Sequence, residues 1–291
     1  MVSAAPNIGK SIFVQNMALE LVCGGSTLLN RFSVAPAKVL YLDLEMGESA
    51  LQERFKKMSA VRNGNLDNLF VRYIPALDIL NEESRKLIEN WLNELKVDVL
   101  ILDPLGNAWS GDESKQESVG KLTAYLNTLI DRFDISLLVV HHWRKATKEA
   151  KTGGQMAAGS YKWAAWLDCH VTLEGEPHSV TISCHKNRNR PKFPPIITKI
   201  NSDTLCFEFV GDYQKKFDGD TLQNLFDSFN VEKVSVPDLI KRAKEQKGPS
   251  ETTLRNLIKK TTVFKTVPMG KIHYLVRKDS ENLAWDEVIE P

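Results

Sequence analysis

The stretch Ala4-Ala5-Pro6-Asn7-Ile8-Gly9-Lys10-Ser11 decides how the rest of the chain is read. Its chemistry is that of a phosphate-binding loop. Gly9 lets backbone amides close around a phosphate, Lys10 reaches the outer phosphates, and the Ser11 hydroxyl can ligate Mg²⁺ at a helix start. Asn7, Ile8, Gly9, Lys10 and Ser11 are therefore the candidate nucleotide-binding set, with Ser11 also a metal candidate. A helix follows at once, burying Ile12, Phe13, Met17, Leu19, Leu21 and Val22 and stopping at Gly24-Gly25. Ala4 stands where the pattern G-x-x-x-x-G-K-[ST] has its first glycine, so a residue with a Cβ must accept that position. Only Met1-Val2-Ser3 precede Ala4, whereas such a loop needs a buried strand leading into it. Either the first strand is missing, the reading preferred here, or it is stunted.

The chain has 291 residues, enough for one large domain and one small one. An apolar content of 42% supports a real core. Thirty-eight Lys+Arg against 37 Asp+Glu leave a net charge of +1, so nucleic-acid binding must come from local patches rather than a global field. Cys23, Cys169, Cys184 and Cys206 have no C-x-x-C spacing and read as reduced core residues of a cytoplasmic protein. No apolar run of 18 or more residues is present, which argues against membrane insertion.

Beyond the first helix, Lys38–Asp43 is an apolar run ending in the acids of Asp43-Leu44-Glu45. It reads as a buried strand delivering carboxylates at its C-terminal end, where open α/β sheets keep their sites. Helices are expected over Gly47–Met58 and Glu82–Leu95, with a short strand over Leu69–Ile74. Val97 to Leu105 is almost continuously apolar and contains Asp103, the pattern of a strand buried on both faces in a parallel sheet. A carboxylate there helps hold phosphate-bridging Mg²⁺ in nucleotide hydrolases, so Asp103 is the second metal candidate. Helix Ser118–Phe133 leads to strand Ile135–Val140, which ends in His141-His142; these are packed residues or a phosphate-sensing pair. The basic stretch 144–154, with Lys145, Lys148 and Lys151, is a solvated loop or faces a polyanion. Leu167–Leu173 and Ser179–His185 form a hairpin, followed by the cations of Lys186-Asn187-Arg188-Asn189-Arg190 and strands Ile196–Ile200 and Leu205–Val210.

Together these residues resemble the RecA-like core of hexameric replicative helicases, the plasmid RepA-type and DnaB-type ATPases, over residues 4–210. The loop is similar to the family's G-x-P-x-x-G-K-[ST], with Pro6 matched and Ala4 not. The resemblance implies an α/β fold, a RecA-like P-loop core with a mostly parallel sheet over residues 1–212. It also implies ATP and Mg²⁺, a homo-hexamer, and single-stranded DNA in a central channel near Lys145, Lys148 and Lys151. Asp43-Leu44-Glu45-Met46 is similar to the segment carrying the family's catalytic glutamate, which implies Glu45 as the base that polarises water. Leu102-Asp103-Pro104-Leu105 resembles the Walker B segment, and His141-His142 the end of the sensor strand. Ala158-Gly159-Ser160 with Trp163 and Asp168 resembles the family's Gly-Ser segment. Lys186-Asn187-Arg188-Asn189 resembles the K-x-R-x element whose cations reach a neighbouring subunit's site.

From Phe217 the pattern changes. Helices over Leu222–Phe229, Val236–Gln246 and Ser250–Thr261, then strands Lys265–Pro268 and Ile272–Arg277, resemble a winged helix-turn-helix over 217–278. Twelve Lys/Arg against seven Asp/Glu give this segment a charge of +5. Arg255 and Lys259 on its third helix suit duplex DNA contact, although such modules also dock proteins. The end, 279–291, is acidic and reads as a loose tail. The expected function is an ATP-hydrolysing motor on DNA; a nucleotide-switched DNA-binding regulator or loader with little turnover is the alternative.

Overall fold

The computed structural model describes residues 1–24, 27–113, 115–142, 161–213, 219–246 and 248–278. It divides into two units, Met1–Tyr213 and Gln214–Pro291.

In the first unit, β4 (Val39–Asp43) and β6 (Val99–Asp103) run parallel, paired residue for residue from Val39 with Val99 to Asp43 with Asp103. All five residues of β4 are buried, as are Leu100 to Asp103 of β6. Apolar side chains on both faces require cover on both, and the helices supply it. α1 (Lys10–Cys23) and α2 (Glu48–Ser59) cover one face, where Phe13, Val14, Leu19, Leu51, Phe55 and Met58 meet Tyr41 and Ile101. α3 (Glu82–Leu95), α4 (Gln116–Phe133) and α5 (Tyr161–Trp166) cover the other, packing Ile88, Leu92, Leu122, Leu126 and Trp163 against Leu40, Leu42 and Leu102. α1 stops at Gly24, whose φ of 63° suits glycine. Each fully buried leucine stabilises this arrangement by roughly 1.5–3 kcal/mol.

The remaining strands are β1 (Val2–Ala4), β5 (Leu69–Tyr73), β7 (Ser136–His142), β8 (Cys169–Glu176), β9 (Ser179–Asn187), β10 (Ile196–Ile200) and β11 (Phe207–Asp212), besides a small β2–β3 ribbon (Thr27–Leu28, Phe32–Ser33). The sheet order is β11-β10-β9-β8-β1-β7-β6-β4-β5. From β8 to β5 neighbours are parallel, and β8 to β11 pair antiparallel. The strand expected to be missing before the phosphate loop is in place in short form. Val2–Ala4 sits mid-sheet, with Ala4 opposite both His142 and Leu173. Three residues suffice because strands on both sides satisfy their backbone.

The second unit holds α6 (Gly219–Asp227), β12 (Lys233–Ser235), α7 (Val236–Glu245), α8 (Glu251–Lys260), β13 (Phe264–Met269) and β14 (Ile272–Arg277). Its antiparallel sheet has the order β12-β14-β13 over a core of Leu222, Phe226, Leu239, Leu254, Phe264 and Leu275. Ser235 and Ser250 cap α7 and α8, accepting from the amides of Asp238 and Thr253. β12 is not anticipated by the sequence pattern; a three-residue edge strand is too short to show alternation.

Among the described residues, no helix is long and apolar enough to cross a membrane.

Candidate nucleotide site

The C-terminal ends of β1, β4, β6 and β7 open onto a cleft of about 460 Å³ lined by Asn7, Gly9, Lys10, Ser11, Asp43, Glu45, Asp103 and His142, with Ile12, Met46 and Arg54. Strand ends with a helix N-terminus between them are where an open α/β sheet exposes backbone amides and charge.

The loop places its turn away from Ala4. Asn7 (φ 64°) and Gly9 (φ 92°) take the left-handed conformations. Ala4 is fully buried as the last residue of β1, where a Cβ is welcome. At a φ of 92° any L side chain on Gly9 is strained, and a Cβ there would approach the end of the Ile200 side chain, Cδ1, to 2.6 Å, so that Ile200 would have to shift. The Gly9 carbonyl accepts from Phe13 N at 2.8 Å and starts α1. Ile8 turns into the core and does not line the cleft.

Lys10 is buried and donates from Nζ to the Ala5 carbonyl at 2.8 Å. Burial lowers its pKa to about 8, outweighing the opposing pull of Asp103 and Glu45. Ser11 Oγ donates to Asp103 Oδ1 at 3.1 Å, and the Tyr41 hydroxyl donates to Asp103 Oδ2. Burial raises the Asp103 pKa to about 6, against those two hydrogen bonds. A hydroxyl beside a buried carboxylate at the edge of a cleft is an oxygen donor set that fits Mg²⁺.

Asp43, beside Asp103 in register, accepts from Glu45 N at 3.1 Å and Met46 N at 2.7 Å. Burial raises its pKa, and those two amides oppose the rise. The resulting turn swings Glu45 out to the cleft, where its Oε2 lies 3.7 Å from His142 Nε2, beyond hydrogen-bond length. Burial first, and then the Lys10 charge, lower the His142 pKa, which favours the neutral ring.

A family model described as an AAA domain matches residues 1–148. The chain belongs to the AAA domain family. None of the curated proteins matches it in sequence. Among solved structures, the AAA domain chain is similar to one described as an ATPase domain, with 14% identity, a TM-score of 0.54, and coverage of 72% of this chain and 83% of that one. It is similar to the RadB recombinase at 15% identity and a TM-score of 0.50, over 72% and 89% of the two chains. A DnaB-like replicative helicase matches at 12% identity and a TM-score of 0.53, over 72% of this chain and 58% of its own. At these identities the likeness establishes the fold: the AAA domain chain has the α/β architecture of RecA-like ATPase domains.

Not every expected site residue of the AAA domain chain reaches the cleft. His141 alternates to the opposite face of β7, buried with its ring centroid 6.0 Å from Trp163 and its Nε2 3.3 Å from Glu113. Lys186 and Arg188, expected at a neighbouring subunit's site and not at this one, lie elsewhere in their own chain. Antiparallel β9 carries Lys186 back to the level of His170, whereas Ala4 pairs further along β8 at Leu173. Lys186 Nζ donates to the carbonyls of Ala164 (2.7 Å) and Ala165 (3.2 Å), while Arg188 bonds Ala165 O (3.0 Å) and Asp168 (2.6 Å). Lys145, Lys148, Lys151 and the Ala158-Gly159-Ser160 segment lie outside the described residues. Arg255 and Lys259 are exposed on α8 of the second unit, with Arg255 paired to Glu251 at 2.9 Å. Conversely, Tyr41 and Arg54 line or support the cleft without a sequence signal. Tyr41 is one apolar-run residue among several, and Arg54 flanks the buried stripe of Leu51, Phe55 and Met58 on α2.

Proposed function

We propose that this chain is an ATP-hydrolysing P-loop ATPase that acts on DNA in the cytoplasm, a RepA-like replicative helicase or DNA-remodelling motor. One observation carries the reading: a single cleft gathers Lys10, Ser11, Asp103, Glu45 and His142 from four strand ends. Lys10 holds the outer phosphates, and Ser11 with Asp103 holds Mg²⁺. Glu45 orients and polarises the attacking water, and His142 reads the γ-phosphate. Arg188 and Lys186, remote from this cleft within their own chain, serve a neighbouring copy's site, which makes the active form a ring and by family resemblance a hexamer. The DnaB-like helicase and RadB recombinase that share the fold support DNA as the partner. The basic residues Lys145, Lys148 and Lys151 are assigned to single-stranded DNA in the channel. The helices α6, α7 and α8 and the three-stranded sheet of the second unit support a winged-helix reading, with Arg255 and Lys259 facing duplex DNA.

The test is ATP turnover with and without single-stranded DNA, with Lys10→Ala as the blank. Stimulation by DNA is expected. Tight nucleotide binding with negligible turnover in both conditions would replace the motor with a nucleotide-switched DNA-binding regulator.

A further inference from the structure

The second unit contains a groove of about 460 Å³ between the start of α7, one side of α8 and the β13–β14 hairpin. Val236, Ile258 and Ile272 give it an apolar lining, and Lys259, Lys271 and Arg255, the last paired to Glu251, give it cations; among the described residues no acid lines it. Ile272 keeps 43% of its surface exposed. A phosphodiester backbone complements the cations but offers nothing to an apolar lining. An acidic segment with apolar side chains complements both.

The chain carries such a segment next door. Residues 279–291 read Asp-Ser-Glu-Asn-Leu-Ala-Trp-Asp-Glu-Val-Ile-Glu-Pro, five acids and no Lys or Arg. Their charge of −5 equals in size the +5 of residues 217–278. Leu283, Trp285, Val288 and Ile289 supply the apolar part, and Trp285, Val288 and Ile289 have the i, i+3, i+4 spacing of groove-binding segments. Reach is sufficient. Ile272 begins β14 and Lys278 follows its end, about 20 Å away at ~3.4 Å per residue. Trp285, seven residues past Lys278, can extend up to about 25 Å.

We propose that residues 279–291 dock in this groove, their carboxylates on Lys259 and Lys271 and their apolar side chains on Ile258 and Ile272, and so compete with DNA for the same face. Tethering holds the segment at an effective concentration on the order of millimolar, so weak intrinsic affinity is enough. The docking stands on the groove alone, while its effect on DNA rests on the winged-helix reading above.

The experiment compares the full chain with one ending at Lys278, using a fluorescein-labelled peptide of residues 279–291 and a labelled DNA duplex as probes. The peptide is expected to bind the shortened chain at least tenfold more tightly than the full chain, whose groove is filled. Lys271→Glu with Ile272→Asp in the shortened chain should abolish that binding while circular dichroism stays unchanged. A full-length variant carrying Asp286→Asn, Glu287→Gln and Glu290→Gln should open the groove to the peptide without shortening the chain. Duplex affinity should rise at least fivefold when 279–291 are removed. Equal peptide binding by full and shortened chains, or none by either, overturns the docking. A gain in DNA affinity without peptide binding also overturns it, because the tail then acts only by repelling phosphate. Peptide binding as expected with no DNA binding in any form supports the docking and removes DNA from this unit.

Discussion

Ser11 and Asp103, 92 residues apart in sequence, meet at the mouth of the cleft, where the serine hydroxyl donates to one carboxylate oxygen across 3.1 Å. The other oxygen is held by Tyr41, a fully buried side chain from the neighbouring strand. Three elements thus fix the orientation of one carboxylate before any cation arrives.

Tyr41→Phe isolates this arrangement. The ring keeps its edge-on contact with Phe55 at 5.5 Å, and only the hydroxyl is lost. Leaving a buried carboxylate oxygen without its donor costs about 1–3 kcal/mol. A lower urea midpoint at neutral pH, with the slope unchanged, is the expected result. An unaltered midpoint would mean that the hydroxyl does not hold Asp103.

Nucleotide binding should weaken on both sides of a window between about pH 6 and pH 8. Asp103, with its pKa raised to about 6, is protonated below that value and would then lose the hold on Mg²⁺ proposed for it. Lys10, lowered to about 8, loses its charge above that value. The two groups also act on stability. A raised carboxylate favours the fold below its unfolded pKa of about 4, and that contribution disappears as pH rises through 6. The depressed lysine pKa favours the fold above about 10.4, and that contribution is lost as pH falls through 8. Titration calorimetry with Mg²⁺-nucleotide across pH 5 to 9 checks the binding window; a flat profile would assign both groups the wrong environment.

Glu45→Gln should retain nucleotide and lose turnover by roughly 10²–10⁴, the usual contribution of a positioned general base. The amide keeps the shape of the side chain and its approach to His142, so binding provides the internal control. Turnover equal to the parent's would move the base elsewhere.

The sequence pattern carried the centre of the first unit because β4 and β6 are buried on both faces, and such strands read as unbroken apolar runs ending in acids, as at Asp43 and Asp103. The loop at Gly9-Lys10-Ser11 was legible for a similar reason: phosphate chemistry restricts each position to very few residue types. Short elements left no such trace. β1 has three residues and is a strand only because β7 and β8 lie on either side, a property of the tertiary fold. Alternation along β7 separates His141 from His142, and the register that decides which one faces the cleft is set by pairing with β1. Arg54 was invisible because a cation beside a buried helical stripe is ordinarily a solvated one.

Substitution of Arg54 distinguishes a ligand contact from simple solvation. It lines the cleft from α2, and its charge helps to hold the Asp43 pKa down against burial. Arg54→Ala is expected to weaken nucleotide binding about tenfold or more, since a hydrogen bond to a charged group contributes ~1.5–3 kcal/mol. Arg54→Lys should recover part of the loss. If both variants bind nucleotide like the parent in equilibrium dialysis, the side chain is solvated.

The arginine proposed to act across subunits needs a control that its local bonds make necessary. Arg188 ties Asp168 and the Ala165 carbonyl together behind α5, so Arg188→Ala removes a positioning contact as well as any contribution to a neighbour's site. Asp168→Asn removes the charge partner while leaving the guanidinium in the chain. A trans role predicts that Arg188→Ala lowers turnover by roughly 10³ or more with nucleotide affinity nearly intact, while Asp168→Asn does not reproduce the loss. It predicts further that mixing Arg188→Ala with Lys10→Ala restores some turnover, because intact Lys10 sites then face intact Arg188 residues on adjacent copies. Absence of any recovery on mixing, or equal losses in the two single variants, would confine Arg188 to the support of α5.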